Sequence, residues 1–474
     1  MSQKLEPDFI LHGATAQALY EGSDALRGLR RIPIVDVHTH TDGSCRTLPH
    51  NAWDLLVGPD HYKTQLMYLN GISVDRIEGS ACNPQENWRA FAGIFHQAIG
   101  TVVYDSTMAI LRRIFHWNGS LNADTADAVW NRVQEYLSNG TVTLSSLING
   151  GDPELSAGVI ETIATCDTPW LANPDALTAP VEGVSQSPFR LGMRIEPLAF
   201  PQKFARLSAG DNPLDGLATV AGSVIQSADD YLHALELGIK RFAEYGNTSL
   251  DFSMWGNPQV YPVSTERATE ILRKAQDKAA PEGTDEQDFL AFILPHFFRL
   301  AYANNLPLQL KIGVVREVNP NAPTNAHDSV DEAIGLNGLV PLLQEYEDRA
   351  NVDGKDWSII LSVRNRYNYQ QQADLSSAFR ILYWGGDWWD NDNVEGMEEG
   401  LYQRARWRGG VYRGVMFFSD TRSFPDCLTR FDMKKRVLAN YLGNLVDSRM
   451  VTLEDAARIG YDSFYTQPKR LFGL

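Results

Sequence analysis

Cysteine is scarce: four residues in 474, Cys45, Cys82, Cys166 and Cys427, with no paired spacing. That argues against a disulfide frame and suits a reduced, cytosolic protein. No apolar run approaches the ~18 residues needed to span a bilayer. The start, Met1 to Pro7, lacks a basic stretch followed by an apolar one, so no signal peptide is expected. Excess positive charge is missing too. Against 59 Asp and Glu stand 42 Lys and Arg, a formal charge of -17, which argues against nucleic acid or an anionic membrane as partner. A small anionic substrate needs only a few local Arg or Lys and stays open. Repeats, low-complexity tracts and long linkers are absent. The expectation is a cytoplasmic, homo-oligomeric protein that meets a small molecule.

The length allows one large barrel with insertions, or two or three ordinary domains. With 11 Trp, 18 Tyr and 20 Phe, the chain can fill a large core and line a pocket. Eight short apolar runs recur, each ending in polar residues: Ile34–His40, Val159–Cys166, Leu191–Pro197, Thr248–Ser253, Leu308–Gly313, Trp357–Val363, Arg380–Trp384 and Gly414–Asp420. Continuous rather than alternating apolarity suits strands covered on both faces. Strands separated by helical patterns point to a closed (β/α)8 TIM barrel, with an open doubly wound sheet as the competitor. The expected division is a helical segment over 1–33, the barrel over 34–424, and helices over 425–474 packed on its outside. A helical insertion at about 45–155 follows the first strand and should cover the pocket from the C-terminal rim. Within it, the spacing predicts a helix over Asn122–Gly140, capped by Asn122 and closed by Gly140.

The chemistry starts with Val35-Asp36-Val37-His38-Thr39-His40. Two residues apart on a strand, His38 and His40 share a face and can reach one metal ion; Asp36 falls on that face one step deeper. The alternative is two unrelated polar residues at a strand end. The last strand ends in Asp420 and Arg422, and closure of the barrel would bring Asp420 to the histidines. Two His and one carboxylate make a mononuclear divalent site with open positions; an Asp capping the next helix is the plainer account. None of the other eight histidines lies on a candidate strand, which disfavours a binuclear site. Lys311 is therefore read as a cation gripping an anionic or hydroxylated substrate, not as a carbamate bridge. Arg194, Glu196, Asp251, Arg316, Asp387, Trp388 and Trp389 at other strand ends add groups for a polar substrate, although each alone is more often structural.

Taken in order, these residues resemble the uronate isomerase (glucuronate isomerase) family of the amidohydrolase superfamily, nearly end to end. Pro33–His40 is similar to the family's Pro-Ile-x-Asp-x-His-x-His, and Asp60-His61-Tyr62-Lys63 to its Asp-His-Tyr-Lys, with Asn70-Gly71 following. Arg316–Asn319, preceded by Ile312-Gly313, the pair Trp388-Trp389, and Ser419-Asp420-Thr421-Arg422-Ser423-Phe424 continue the likeness. The resemblance implies an aldose–ketose isomerase acting on a sugar acid through an enediol. It implies one divalent metal, zinc first and manganese as an alternative, held by His38, His40 and Asp420. It makes Tyr62 a proton-transfer residue, Asp420 a base, and Arg194 and Arg422 contacts for the substrate; the strand-end groups Asp251, Lys311, Arg316 and Trp388 stand beside these as further substrate-binding candidates.

Where the family has Ser-Asp-His-Gly this chain has Leu250-Asp251-Phe252-Ser253, and Lys311 stands for the histidine before Ile-Gly. Trp-Trp-Phe becomes Trp388-Trp389-Asp390, and Arg-His-Glu becomes Arg430-Phe431-Asp432. These changes predict a pocket made more apolar by Phe252 and Phe431. They keep open a hydrolase, lyase or decarboxylase acting on a less polar substrate, and more remotely a non-catalytic carbohydrate binder.

Overall fold

The computed structural model describes residues 10–23, 27–150, 158–167, 179–204, 212–255, 258–315, 318–319, 321–323, 329–330, 335–416 and 418–474. Each apolar run yields a strand: β1 (Ile34–Thr39), β2 (Ile160–Asp167), β3 (Phe189–Arg194), β4 (Asn247–Trp255), β5 (Leu308–Val315), β6 (Ile359–Val363), β7 (Leu382–Gly385) and β8 (Gly414–Val415). Every strand pairs in parallel with the next one in the chain. A two-residue piece, Ser329–Val330, adds antiparallel to β5. Beyond β8 the chain runs beside β1. There the Asp420 N–H donates to the His38 carbonyl at 3.1 Å, and the His40 N–H to the Thr421 carbonyl at 2.8 Å. Those bonds close the seam, so the architecture is the expected (β/α)8 TIM barrel and not an open sheet.

Period-two alternation sorts the side chains. Leu250, Phe252 and Met254 of β4, Leu308, Leu310 and Ile312 of β5, and Ile359, Leu361 and Val363 of β6 join one cluster with the surrounding helices. Their neighbours point inward. Gln309 donates to Ser249 Oγ and to the Val37 carbonyl, both at 3.0 Å. Val35, Val37, Ile360 and Val415 form an apolar interior layer, and Leu471 and Phe472 of the last helix pack into it. A packed floor beneath inward polar groups leaves only the C-terminal mouth for a ligand.

Six helices matter below: α1 (Gly13–Glu21), α2 (His61–Leu69), α3 (Ala126–Ser138), α4 (Asp285–Ala303), α5 (Phe424–Asp447) and α6 (Gln467–Phe472). The described part of the excursion between β1 and β2 is built of helices up to Ile148, as expected. Asn122, however, does not cap α3. Its Oδ1 accepts from the Asp124 and Thr125 N–H groups at 2.9 and 3.1 Å in a preceding turn, and the helix starts at Ala126. Such local bonding competes with helix initiation. Gly140 follows with a left-handed φ of 76°, where glycine carries no Cβ penalty. After Phe424 the chain is helical. Asn440 of α5 anchors the N-terminal segment, donating to the Ile10 carbonyl at 2.7 Å and accepting from the His12 N–H at 2.8 Å. Among the described residues no helix is long and apolar enough to cross a membrane.

Candidate active site

One irregularity in β1 decides which residues face the mouth. Asp36 pairs with Ile163 of β2 and Thr39 with Thr165, so three steps on β1 match two on β2. A bulge of this kind shifts the side-chain phase by one. Val35 and Val37 sit in the interior layer below the bulge, while His38 and His40 line the pocket above it. Asp36 therefore lies off the histidine face, contrary to the strict alternation assumed from sequence. Its Oδ1 accepts from the Ser419 N–H at 2.9 Å, and its Oδ2 from Ser419 Oγ at 2.5 Å and from Cys427 of α5 at 3.4 Å. Asp36 is a seam fastener.

Across the seam, Asp420 takes a left-handed φ of 52°, a conformation Asp tolerates better than most residues. Its Oδ1 lies 2.9 Å from His38 Nε2 and 3.4 Å from His40 Nε2. On the other side of the His38 ring, Nδ1 is 2.9 Å from Asp251 Oδ2, a short contact without full hydrogen-bond alignment. The same Asp251 oxygen accepts from Lys311 Nζ at 2.9 Å. Cys166, at the end of β2, completes a second close group with His38 and Asp251.

The motif Asp60-His61-Tyr62-Lys63 builds the opposite wall from the insertion. Asp60 caps α2, accepting from the Tyr62 N–H at 2.9 Å. Lys63 is fully buried; it donates to the Leu56 carbonyl at 2.7 Å and pairs with Asp60 at 3.2 Å and with Asp426 of α5 at 3.3 Å. This clamp ties α2 to the barrel and delivers His61 to the pocket, where Arg422 lies 2.6 Å from its Nδ1. A guanidinium has no lone pair to accept with, so His61 Nδ1 accepts and its proton is on Nε2.

A pocket results, its wall carrying the cations Arg194, Lys311 and Arg422 beside Asp251 and Asp420. Arg194 is held by Glu196 through two N–H groups to one carboxylate oxygen. Trp388 and Trp389 also line it. Trp389 adopts φ 57°, a strained conformation for a bulky residue, and Trp388 Nε1 is buried with no hydrogen-bond partner among the described residues. An indole N–H so placed suits a substrate oxygen.

Of the residues singled out from sequence, His38, His40, Asp420, Arg422, Arg194, Asp251, Lys311 and Trp388 come together around this cavity. Tyr62 does not line it. The Tyr62 ring packs 4.1 Å from that of His61 and faces a neighbouring groove with Gln65, Thr101 and Asn393. Arg316 lies outside the described residues. Phe252 and Phe431 are not on the pocket wall. Phe252 is outward on β4, stacked near Phe200 and against Phe297 of α4, and Phe431 packs near Phe464. Asp251 and Ser253 hold the inward positions instead, so the predicted apolar pocket is corrected: strand alternation sends Phe252 into the outer core, and Phe431 is buried on α5 away from the pocket wall. His61 and Cys166 were missed. The motif around Tyr62 already contained His61, and Cys166 ends a candidate strand, the usual place for a functional group in this fold.

Burial and charge set the protonation. Burial pulls His40 down to about 3, so it is a neutral imidazole. Burial opposes charge on Asp420, yet its contacts to His38 and His40 hold it well below the carboxylate range. For His38, burial is outweighed by the Asp251 carboxylate, which raises it well above the usual imidazole range. The donors of His38, His40 and Asp420 all lie within 4.8 Å of one another. Two imidazole nitrogens and an ionised oxygen fit a divalent ion with open positions; ligand atoms around tetrahedral zinc stand roughly 3.3 Å apart, close to the spacing here.

The family model described as glucuronate isomerase matches residues 1–472. The uronate isomerase of Thermotoga maritima is 25% identical over 479 residues, covering 99% of each chain. A solved uronate isomerase structure from Thermotoga maritima superposes with a TM-score of 0.85 at 24% identity, over 99% of this chain and 100% of the other. The glucuronate isomerase structure from Caulobacter crescentus gives 0.84 at 23% identity, over 99% and 97%.

Proposed function

Because the chain belongs to the glucuronate isomerase family, we propose that it interconverts the aldose and ketose forms of a hexuronate, of the glucuronate–fructuronate type. The observation that carries this is the convergence of His38, His40 and Asp420 in a pocket whose wall carries the guanidiniums of Arg194 and Arg422. A uronate brings one carboxylate and several hydroxyls to such a wall. Arg194 and Arg422 are assigned to those groups, since a guanidinium offers a planar fork of donors. Trp388 Nε1 is assigned to a sugar oxygen.

The isomerisation takes a proton from C2 of the open-chain aldose and delivers one to C1, while the hydroxyl protons rearrange through an enediol. Asp420 is assigned the carbon-bound proton. Both its histidine contacts fall on Oδ1, leaving Oδ2 for that transfer. His61, with its Nε2 proton, is assigned the oxygen-bound protons, and Tyr62, facing the neighbouring groove, is given no direct part. His38, His40 and Asp420 would hold one divalent metal, zinc or manganese, which would polarise the substrate oxygens next to the reacting carbons. The hydrolase, lyase or decarboxylase alternative drew on an apolar pocket, and Phe252 and Phe431 do not supply one. A cytoplasmic location accords with the four free cysteines.

Purified protein reloaded with zinc or manganese should convert D-glucuronate to its ketose, seen as new ketose carbon signals by NMR. Absence of conversion across glucuronate, fructuronate and related sugar acids would overturn the assignment.

A further inference from the structure

We propose that Asp251 and Lys311 are positioning residues for His38, fixing its ring and its tautomer so that Nε2 faces the metal-binding group. The proposal rests on the metal site described above and assigns both residues away from direct substrate contact.

A single oxygen, Asp251 Oδ2, lies 2.9 Å from both His38 Nδ1 and Lys311 Nζ. All three side chains are 2–3% exposed. Asp251 comes from β4 and Lys311 from β5, two adjacent strands whose inward residues alternate with core-facing ones, so neither side chain can turn away without breaking the strand phase. The Lys311 ammonium is further confined over the rings of Trp388 at 6.0 Å and Phe418 at 5.2 Å. Phe418 also meets the His38 ring edge-on at 5.5 Å. The imidazole is thus held on its Nδ1 side by a carboxylate that a lysine holds in turn.

That arrangement has a chemical use. An imidazole that gives one nitrogen to a metal carries its proton on the other, and a carboxylate acceptor there fixes both the tautomer and the ring. Once Nε2 holds a metal the His38 imidazole would be neutral, and the buried carboxylate facing it would need a compensating cation, which Lys311 supplies within the same pocket. With Nδ1 turned to Asp251 at 2.9 Å, Nε2 is the nitrogen left toward Asp420 and His40.

The test compares zinc affinity of the full-length protein and its Asp251→Asn and Lys311→Met variants, by competition with a chromophoric chelator, alongside kcat and KM for glucuronate. Positioning predicts zinc binding weaker by about 10–100-fold in Asp251→Asn and about tenfold in Lys311→Met, a lowered kcat and a KM within about threefold of wild type. Imidazole 15N shifts of the zinc-loaded protein should show His38 protonated at Nδ1, and Asp251→Asn should disturb that signature. Unchanged zinc affinity in either folded variant with KM raised tenfold or more would overturn the proposal in favour of substrate contact. Should one variant fail to fold, the other decides. Wild-type protein that binds zinc without isomerising any uronate would sink the proposed function and leave this inference standing.

Discussion

Asp36 and Ser419 are bound to each other twice, through the Ser419 N–H at 2.9 Å and its Oγ at 2.5 Å, in a setting with no solvent exposure at either residue. The pair sits at the barrel's seam, one residue before Asp420. Replacing Asp36 with Ala removes the acceptor of four buried donors, the Ser419 N–H and Oγ, the His38 N–H and the Cys427 thiol, of which the two to Ser419 are the shortest; a bond to a charged group contributes about 1.5–3 kcal/mol. Asp36→Ala should therefore lower stability by about 3 kcal/mol, measured from the denaturant midpoint. A loss under about 0.5 kcal/mol would show that the seam closes without it.

Lys63 fastens the insertion. Its ammonium serves Asp60, Asp426 and the Leu56 carbonyl with no exposure to water. Removing one partner of a buried ion pair costs about 3–5 kcal/mol. Lys63→Met should thus destabilise the protein by about 3 kcal/mol and make α2 more open to proteolysis. Protease cleavage unchanged near residues 58–70 would contradict the clamp.

Phe252→His would restore the family's residue at that position, yet the side chain faces the outer core against Phe297. Burying an imidazole there without a partner costs about 1–3 kcal/mol. Thermal unfolding should therefore show a lower midpoint, with KM for glucuronate unchanged. A large gain in kcat/KM would mean that residue 252 reaches the substrate.

Lys435 gives a pH signature away from the pocket. It is buried beneath β1, donating to the Ile32 carbonyl at 2.6 Å, and burial pushes it down to about 7. Between about pH 7 and its unfolded value near 10.4, the unfolded chain binds more protons, so this residue makes stability rise with pH. Lys435→Met removes that term. Its stability advantage over wild type should be largest below pH 7, on the order of 4 kcal/mol before the loss of the Ile32 bond, and should shrink steadily toward pH 10. A difference that stays flat over that range in urea melts would rule this out.

Much of this was legible in the residues. The eight strands announced themselves because strands covered on both faces need continuous apolar runs, and Gly414–Asp420 was found although only Gly414–Val415 joins the ladder. His38, His40 and Asp420 were found together because strand-end polar groups in a closed barrel converge. Asp36 was misplaced because a bulge is a matter of register between two strands, which one strand's pattern does not encode. Phe252 was misjudged for the opposite reason: strict alternation holds on β4, and it puts Asp251 and Ser253 inward. His61 was overlooked because it sits on a helix of the insertion, and no strand periodicity points to it. Its place depends on the long-range contact between Lys63 and Asp426.

One metal on His38, His40 and Asp420 is proposed to serve uronate isomerisation. Zinc titrated into metal-stripped protein, with glucuronate conversion followed at each addition, tests it most directly. Activity should climb from near zero to a plateau at one zinc per chain, and Asp420→Asn should stay flat throughout. Full activity in the stripped protein, or a plateau only at two metals per chain, would contradict it.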